Sequence, residues 1–138
     1  MTVLDAYAVL AFLRNEPAAG PVARLLDGPT VLAATNLGEV IDQLVRVVDD
    51  VHSDLALLVY LGMQIEPITG HLGSRAGELR ARHYHRVARP LSLADCAAAA
   101  LALALRRPLA TSDPPLAAMT RAEGGSVLPL PDSRGRLP

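Results

Sequence analysis

At 138 residues and 14.5 kDa, the chain is long enough for one hydrophobic core and too short for two. Hydrophobic residues make up 51% of it, mean hydropathy is +0.28 and the formal charge is −1. That balance excludes intrinsic disorder and leaves any nucleic-acid binding to a local patch or to metal ions.

All 13 basic residues are arginine. The lack of lysine removes phosphate-loop NTPases and Schiff-base enzymes, and disfavours receiver domains and haloacid-dehalogenase-like phosphatases. The single cysteine, Cys96, rules out an internal disulfide and a cysteine-based zinc site; among alanines, it reads as a buried thiol in a helix. No run reaches the roughly 18 apolar residues of a membrane span, and the start of the chain lacks the basic segment of a signal peptide. The expectation is a soluble, cytoplasmic protein with no membrane partner.

In chain order, residues 2–4 read as a short buried strand and 6–14 as a helix stopping before Pro17. Residues 21–27 form a second helix, closed by Gly28 and Pro29. A second buried strand covers 30–33. The segment 36–48 spaces Leu37, Val40, Ile41, Leu44, Val45 and Val48 by threes and fours, as an amphipathic helix requires. A helix over 53–61 follows, with Ser53 as its cap and Gly62 as its stop. A weaker strand lies at 64–68, then an arginine-rich helix at 72–89 ended by Pro90. Residues 93–107 are apolar nearly all round, which predicts a central buried helix. A strand at 108–111, a helix at 114–123 and a weak strand at 126–130 complete the pattern.

Short apolar strands without alternation, each followed by a helix, predict an α/β three-layer sandwich. Its centre is a short parallel sheet of four to five strands with helices on both faces. Residues 1–130 form the single domain and 131–138 a loose tail rich in proline, glycine and charge.

Four acids fall where such a fold places ligands, beyond the carboxyl ends of the strands. Asp5 follows the first strand and Asp113 the strand at 108–111. Glu39 and Asp95 lie in the first turns of their helices. Each has a structural explanation on its own: Asn36 with Glu39 and Ser92 with Asp95 look like capping boxes, and Asp5 and Asp113 like N-caps. Together they point to a divalent ion, because crowded carboxylates repel one another and hard cations prefer oxygen ligands. On the helix at 72–89, Arg75, Arg82, Arg86 and Arg89 share one face, either a phosphate-contacting stripe or a solvated surface partly paired with Glu78. Apolar residues between Val40 and Val59 exceed what one narrow helix face needs, so some of them can serve a protein partner.

The stretch Val3-Leu4-Asp5-Ala6-Tyr7-Ala8-Val9-Leu10-Ala11 resembles the opening motif of PIN domains, in particular the VapC toxins of bacterial toxin–antitoxin pairs. Asn36-Leu37-Gly38-Glu39-Val40, Leu91-Ser92-Leu93-Ala94-Asp95-Cys96-Ala97 and Ala110-Thr111-Ser112-Asp113 resemble the other three motifs, in order. The resemblance runs from about residue 2 to 130. It implies a PIN-like fold and an Mg²⁺- or Mn²⁺-dependent endoribonuclease acting on tRNA, rRNA or mRNA as the toxin of such a pair. Asp5, Asp95 and Asp113 would then ligate the metal, Glu39 would complete the set or hold the attacking water as base, and Thr111 would orient a ligand from behind. A homodimer and a cognate antitoxin are implied as partners. Two departures stand out: Tyr7 occupies a position where the family more often has a small hydroxyl residue, and Pro114-Pro115 replaces basic or polar residues. Two other readings remain open, a catalytically inactive PIN-like binding module and a different metal-dependent nuclease or phosphohydrolase.

Overall fold

The computed structural model describes residues 1–47 and 50–138. Five strands, β1 (Thr2–Leu4), β2 (Thr30–Ala33), β3 (Met63–Glu66), β4 (Leu109–Thr111) and β5 (Val127–Pro129), form one sheet in the order β3-β2-β1-β4-β5. Every pairing is parallel. The helices are α1 (Ala6–Leu13), α2 (Ala19–Leu26), α3 (Ala34–Leu44), α4 (Val51–Tyr60), α5 (Gly70–His83), α6 (Leu93–Leu105) and α7 (Pro114–Ala122).

The sheet separates two apolar layers. Leu4, Leu32 and Ala110 pack with residues of α1 to α4, whereas Val3, Val31 and Leu109 pack with α5, α6 and α7. Neighbouring strand residues point to opposite faces, so continuous apolar strands are what a doubly covered sheet demands. The middle of α6 is alanine because it lies against the sheet: Ala98 and Ala99 are wholly buried, and small side chains let the helix backbone come close. Cys96 is buried in the same layer, and burial pushes its thiol up to about 11, which makes it a packing residue.

Behind α7, Gly125 fits where no side chain can. A Cβ there would stand 2.8 Å from Thr120 Cγ2 and 3.0 Å from both Leu103 Cδ2 and the Thr120 carbonyl oxygen. Gly125→Ala is expected to cost about 1–3 kcal/mol through overpacking. Chemical denaturation would measure this, and an unchanged midpoint would show that the turn gives way freely.

Strand β3 lies at Met63–Glu66 in place of the expected 64–68, α2 starts at Ala19 instead of Pro21, and three helices differ further. Helix α4 starts at Val51 with Asp50 as its cap, whose carboxylate accepts from the Ser53 N–H (3.1 Å) and hydroxyl; Ser53 is inside the helix. Helix α3 begins at Ala34, directly from β2 and without a side-chain cap, so Asn36 is a helical residue. Its observed end is Leu44, and the Val48 end of the expected helix lies outside the described residues. Helix α5 stops at His83, where Tyr84 turns extended. His85 and Arg89 then pair across a tight turn, and the His85 Nδ1 accepts the Val87 and Ala88 N–H groups. Among the described residues, no helix is long and apolar enough to cross a membrane.

Candidate active site

Strand order reverses between β1 and β4, and the chain leaves the C-terminal ends of both strands carrying an acid. Asp5 caps α1, its Oδ1 accepting the Ala8 N–H at 2.7 Å. Asp113 caps α7, accepting the Leu116 N–H at 2.8 Å with Pro114 at the first helical position. Asp95 completes a capping box with Ser92 at the start of α6: Asp95 Oδ2 accepts the Ser92 N–H at 2.7 Å and the Ser92 hydroxyl accepts the Asp95 N–H at 3.0 Å. The caps hold the carboxylates still at the sheet edge.

Glu39 arrives differently. Because α3 starts early, Glu39 lies beyond its first turn, and the wholly buried Asn36 donates to Glu39 Oε2 at 3.3 Å. The expected contact between these residues exists side chain to side chain, and the backbone capping box does not form. Ser92 reaches the other oxygen of Glu39 at 3.5 Å, linking α3 to α6.

These four carboxylates line one cleft of about 470 Å³. Asp5 is buried, and desolvation pushes its carboxyl from 3.8 up to about 7. Hydrogen bonds from Thr111 and Ala8 pull the other way, and the charges of Asp95 and Asp113 add to the rise. Glu39 and Asp113 are also raised, first by burial, with Asp95 contributing to both. Thr111, wholly buried at the end of β4, ties two acids together: its hydroxyl meets Asp5 and accepts the Asp113 N–H at 3.0 Å.

The set is a cleft of acids and not a closed cage. Among the described residues, no three acidic, histidine or cysteine side chains stand as a ready chelating group. Their donor chemistry nevertheless fits a hard divalent ion: all are carboxylate oxygens, Asp5 and Asp113 each turn only one oxygen onto their cap, and the shared field raises their affinity for positive charge.

The arginines are arranged otherwise than their spacing implies. Arg75 and Arg82 lie on α5 and bind Glu123, at 2.8 and 2.6 Å, together with His83 at 2.7 Å. Arg75 also meets Glu78 at 3.3 Å. Arg86 and Arg89 lie beyond the end of α5, exposed on the segment leading to Pro90, which borders the acidic cleft. One helix face cannot hold all four, because the imidazole-stabilised turn at His85 ends the helix. Arg14, Glu16 and Gln43 also line the cleft and were missed. Arg14 follows Ala6 and Leu10 at helical spacing of four, a signal that was available in the sequence.

A parallel α/β sandwich with capped acids gathered at its strand-order reversal defines the class. The chain belongs to the PIN domain family, whose model matches residues 2–122. Its fold resembles FitAcB from Neisseria gonorrhoeae (20% identity, TM-score 0.62, covering 93% of this chain and 96% of that one). It also resembles VapBC2 from Rickettsia felis bound to a promoter DNA fragment (14%, 0.65, 92% and 96%). A third similar structure is Mycobacterium tuberculosis VapC20, a sarcin–ricin loop cleaving toxin (19%, 0.65, 86% and 94%). No curated protein matches the sequence.

Proposed function

We propose that the chain is a divalent-metal-dependent endoribonuclease and the toxin of a toxin–antitoxin pair. The observation that carries this reading is the single cleft lined by Asp5, Glu39, Asp95 and Asp113 in a PIN-family fold. RNA-directed activity is supported by the likeness to a sarcin–ricin loop cleaving toxin.

Asp5, Asp95 and Asp113 would hold Mg²⁺ or Mn²⁺, with Glu39 beside them. When bound, the ion supplies a Lewis acid that activates water and offsets the charge gathering on the phosphate. The chain's own residues do the positioning. The caps fix three carboxylates, Thr111 orients Asp5 and Asp113 from behind, and Asn36 with Ser92 aims Glu39, the base that takes the proton of the attacking water. Arg14 lines this cleft and would meet the phosphate of a bound RNA. Arg86 and Arg89 extend the contact along the backbone, and Arg75 and Arg82, held by Glu123, serve the helix first.

A protein partner is supported by the apolar face of α4. Leu57, Val59 and Tyr60 are exposed there, at 48%, 55% and 87%, beside a groove bordered by Leu37, Ile41, Leu55 and Met63. Of the apolar excess between Val40 and Val59, Val40, Leu44, Val51, Leu55 and Leu58 are core and Ile41 packs against it, leaving Val45, Val47, Leu57 and Val59 exposed. Solved relatives include toxin–antitoxin complexes, so an antitoxin is the proposed occupant, and a homodimer and a cytoplasmic setting go with it.

Sequencing of RNA ends after induced expression tests the activity. The intact protein should generate discrete new ends in one RNA class, and Asp95→Asn should not. Identical patterns from both would refute the nuclease reading and favour a PIN-like binding module.

A further inference from the structure

A second cavity, of about 510 Å³, adjoins the acidic cleft and shares Tyr7 and Asp113 with it. Its other walls are Ser112, Pro114 and three tail residues, Asp132, Arg136 and Leu137. The tail is a built rim. The Asp132 carboxylate accepts the backbone N–H groups of Arg134 and Arg136, each at 2.8 Å, and the Arg136 Nε at 2.9 Å. The Asp132 N–H closes the turn on the Arg136 carbonyl at 2.8 Å, with Gly135 at φ +78. Tyr7 fastens this turn to α1, its hydroxyl donating to the Pro131 carbonyl at 3.2 Å.

Tyr7 is the aromatic residue lining both cavities; Phe12 packs against the core and Tyr60 stands exposed on α4. Unpaired RNA bases are recognised by stacking on aromatic rings and on guanidinium planes, with polar groups at the base edges. This cavity has one ring, one guanidinium, a serine hydroxyl and two carboxylates, with apolar surface from Pro114 and Leu137. A peptide would find little there to pair its backbone. Its size is within the range of small-ligand sites, and a rim already closed on itself needs little ordering when a ligand enters.

We propose that this cavity is a nucleotide subsite, receiving the unpaired base next to the scissile phosphate of a single-stranded RNA, stacked on the Tyr7 ring and bordered by Arg136. The inference rests on the nuclease reading, which places that phosphate at the neighbouring carboxylates.

Binding of a fluorescein-labelled, mixed-sequence single-stranded 12-mer RNA, followed by anisotropy with Ca²⁺ in place of Mg²⁺, tests it. Tyr7→Ser should weaken binding about tenfold, the usual loss of one stacked base, and Tyr7→Phe should recover most of that loss by restoring the ring. Arg136→Ala, which removes a side chain 70% exposed, should weaken binding severalfold. Tyr60→Ser should have no effect, and circular dichroism would confirm that each variant folds. Unchanged affinity in Tyr7→Ser and Arg136→Ala would overturn the subsite. If Asp5→Asn still impaired binding in that case, the nuclease reading would stand without it. No binding of the RNA by the intact protein would overturn both.

Discussion

Asp5→Asn is expected to make the metal-free protein more stable at pH 8, by up to about 4 kcal/mol, while ending the proposed RNA cleavage. The gain follows from the position of the carboxyl. Asp5 is 4% exposed and its neighbours include Asp95 and Asp113, so ionising it inside the fold is costly. Asparagine keeps an oxygen for the Ala8 N–H and caps about as well as aspartate, so only the buried charge is lost. The sign follows from the direction of the shift. With a folded value of about 7 against 3.8, the native state holds a proton that the unfolded chain has released. The contribution of Asp5 to stability is therefore fully present below the lower value and is lost as pH rises through the higher one. Thermal unfolding without metal should show parent and variant converging near pH 4 and separating up to pH 8. Millimolar Mg²⁺ should then favour the parent alone, since an ion that binds only the folded state stabilises it by mass action. A variant that is less stable throughout would mean that Asp5 is a structural cap and nothing more.

Ala99→Leu is expected to lower stability by roughly 1–3 kcal/mol or more, because an isobutyl group has nowhere to go. Ala99 is wholly buried in the layer that holds Val3, Val31 and Leu109. Relief requires α6 to move off the sheet, which also carries Asp95 away from Asp5 and Asp113. Ala104→Leu, on the exposed side of the same helix, should change stability by less than about 0.5 kcal/mol. Melting temperatures of the two variants give the comparison. Equal values would mean that α6 has slack against the sheet, and the tight helix-to-sheet contact described above would be wrong.

The parallel sheet was legible because its inner strands β1, β2 and β4 are short and mainly apolar and most of the helices between them start with recognisable caps. Asp5, Ser92 with Asp95, and Asp113 with Pro114 form the caps that their residue types favour, so three of the four acids could be placed within a turn. Glu39 could not. Ala33, the residue at the cap position, carries no start signal, Asn36 does, and the helix nevertheless begins at Ala34 because β2 runs straight into it. The arginine stripe failed for a related reason. Periodicity continues to Arg89, and only the imidazole of His85 satisfying two backbone donors reveals the break. Long-range partners are invisible to local pattern, so neither the Glu123 anchor nor the tail turn beside the cleft could be read from spacing.

The most direct measurement is calorimetric titration of Mn²⁺ into the intact protein and into Asp5→Asn at pH 7, in two buffers of different ionisation enthalpy. The intact protein should bind with a saturable heat and release protons, because burial holds the Asp5 carboxyl well above its ordinary range and a cation displaces the proton it retains. Asp5→Asn should bind far more weakly and release almost none. No binding by the intact protein, or equal binding by the two, would contradict the account.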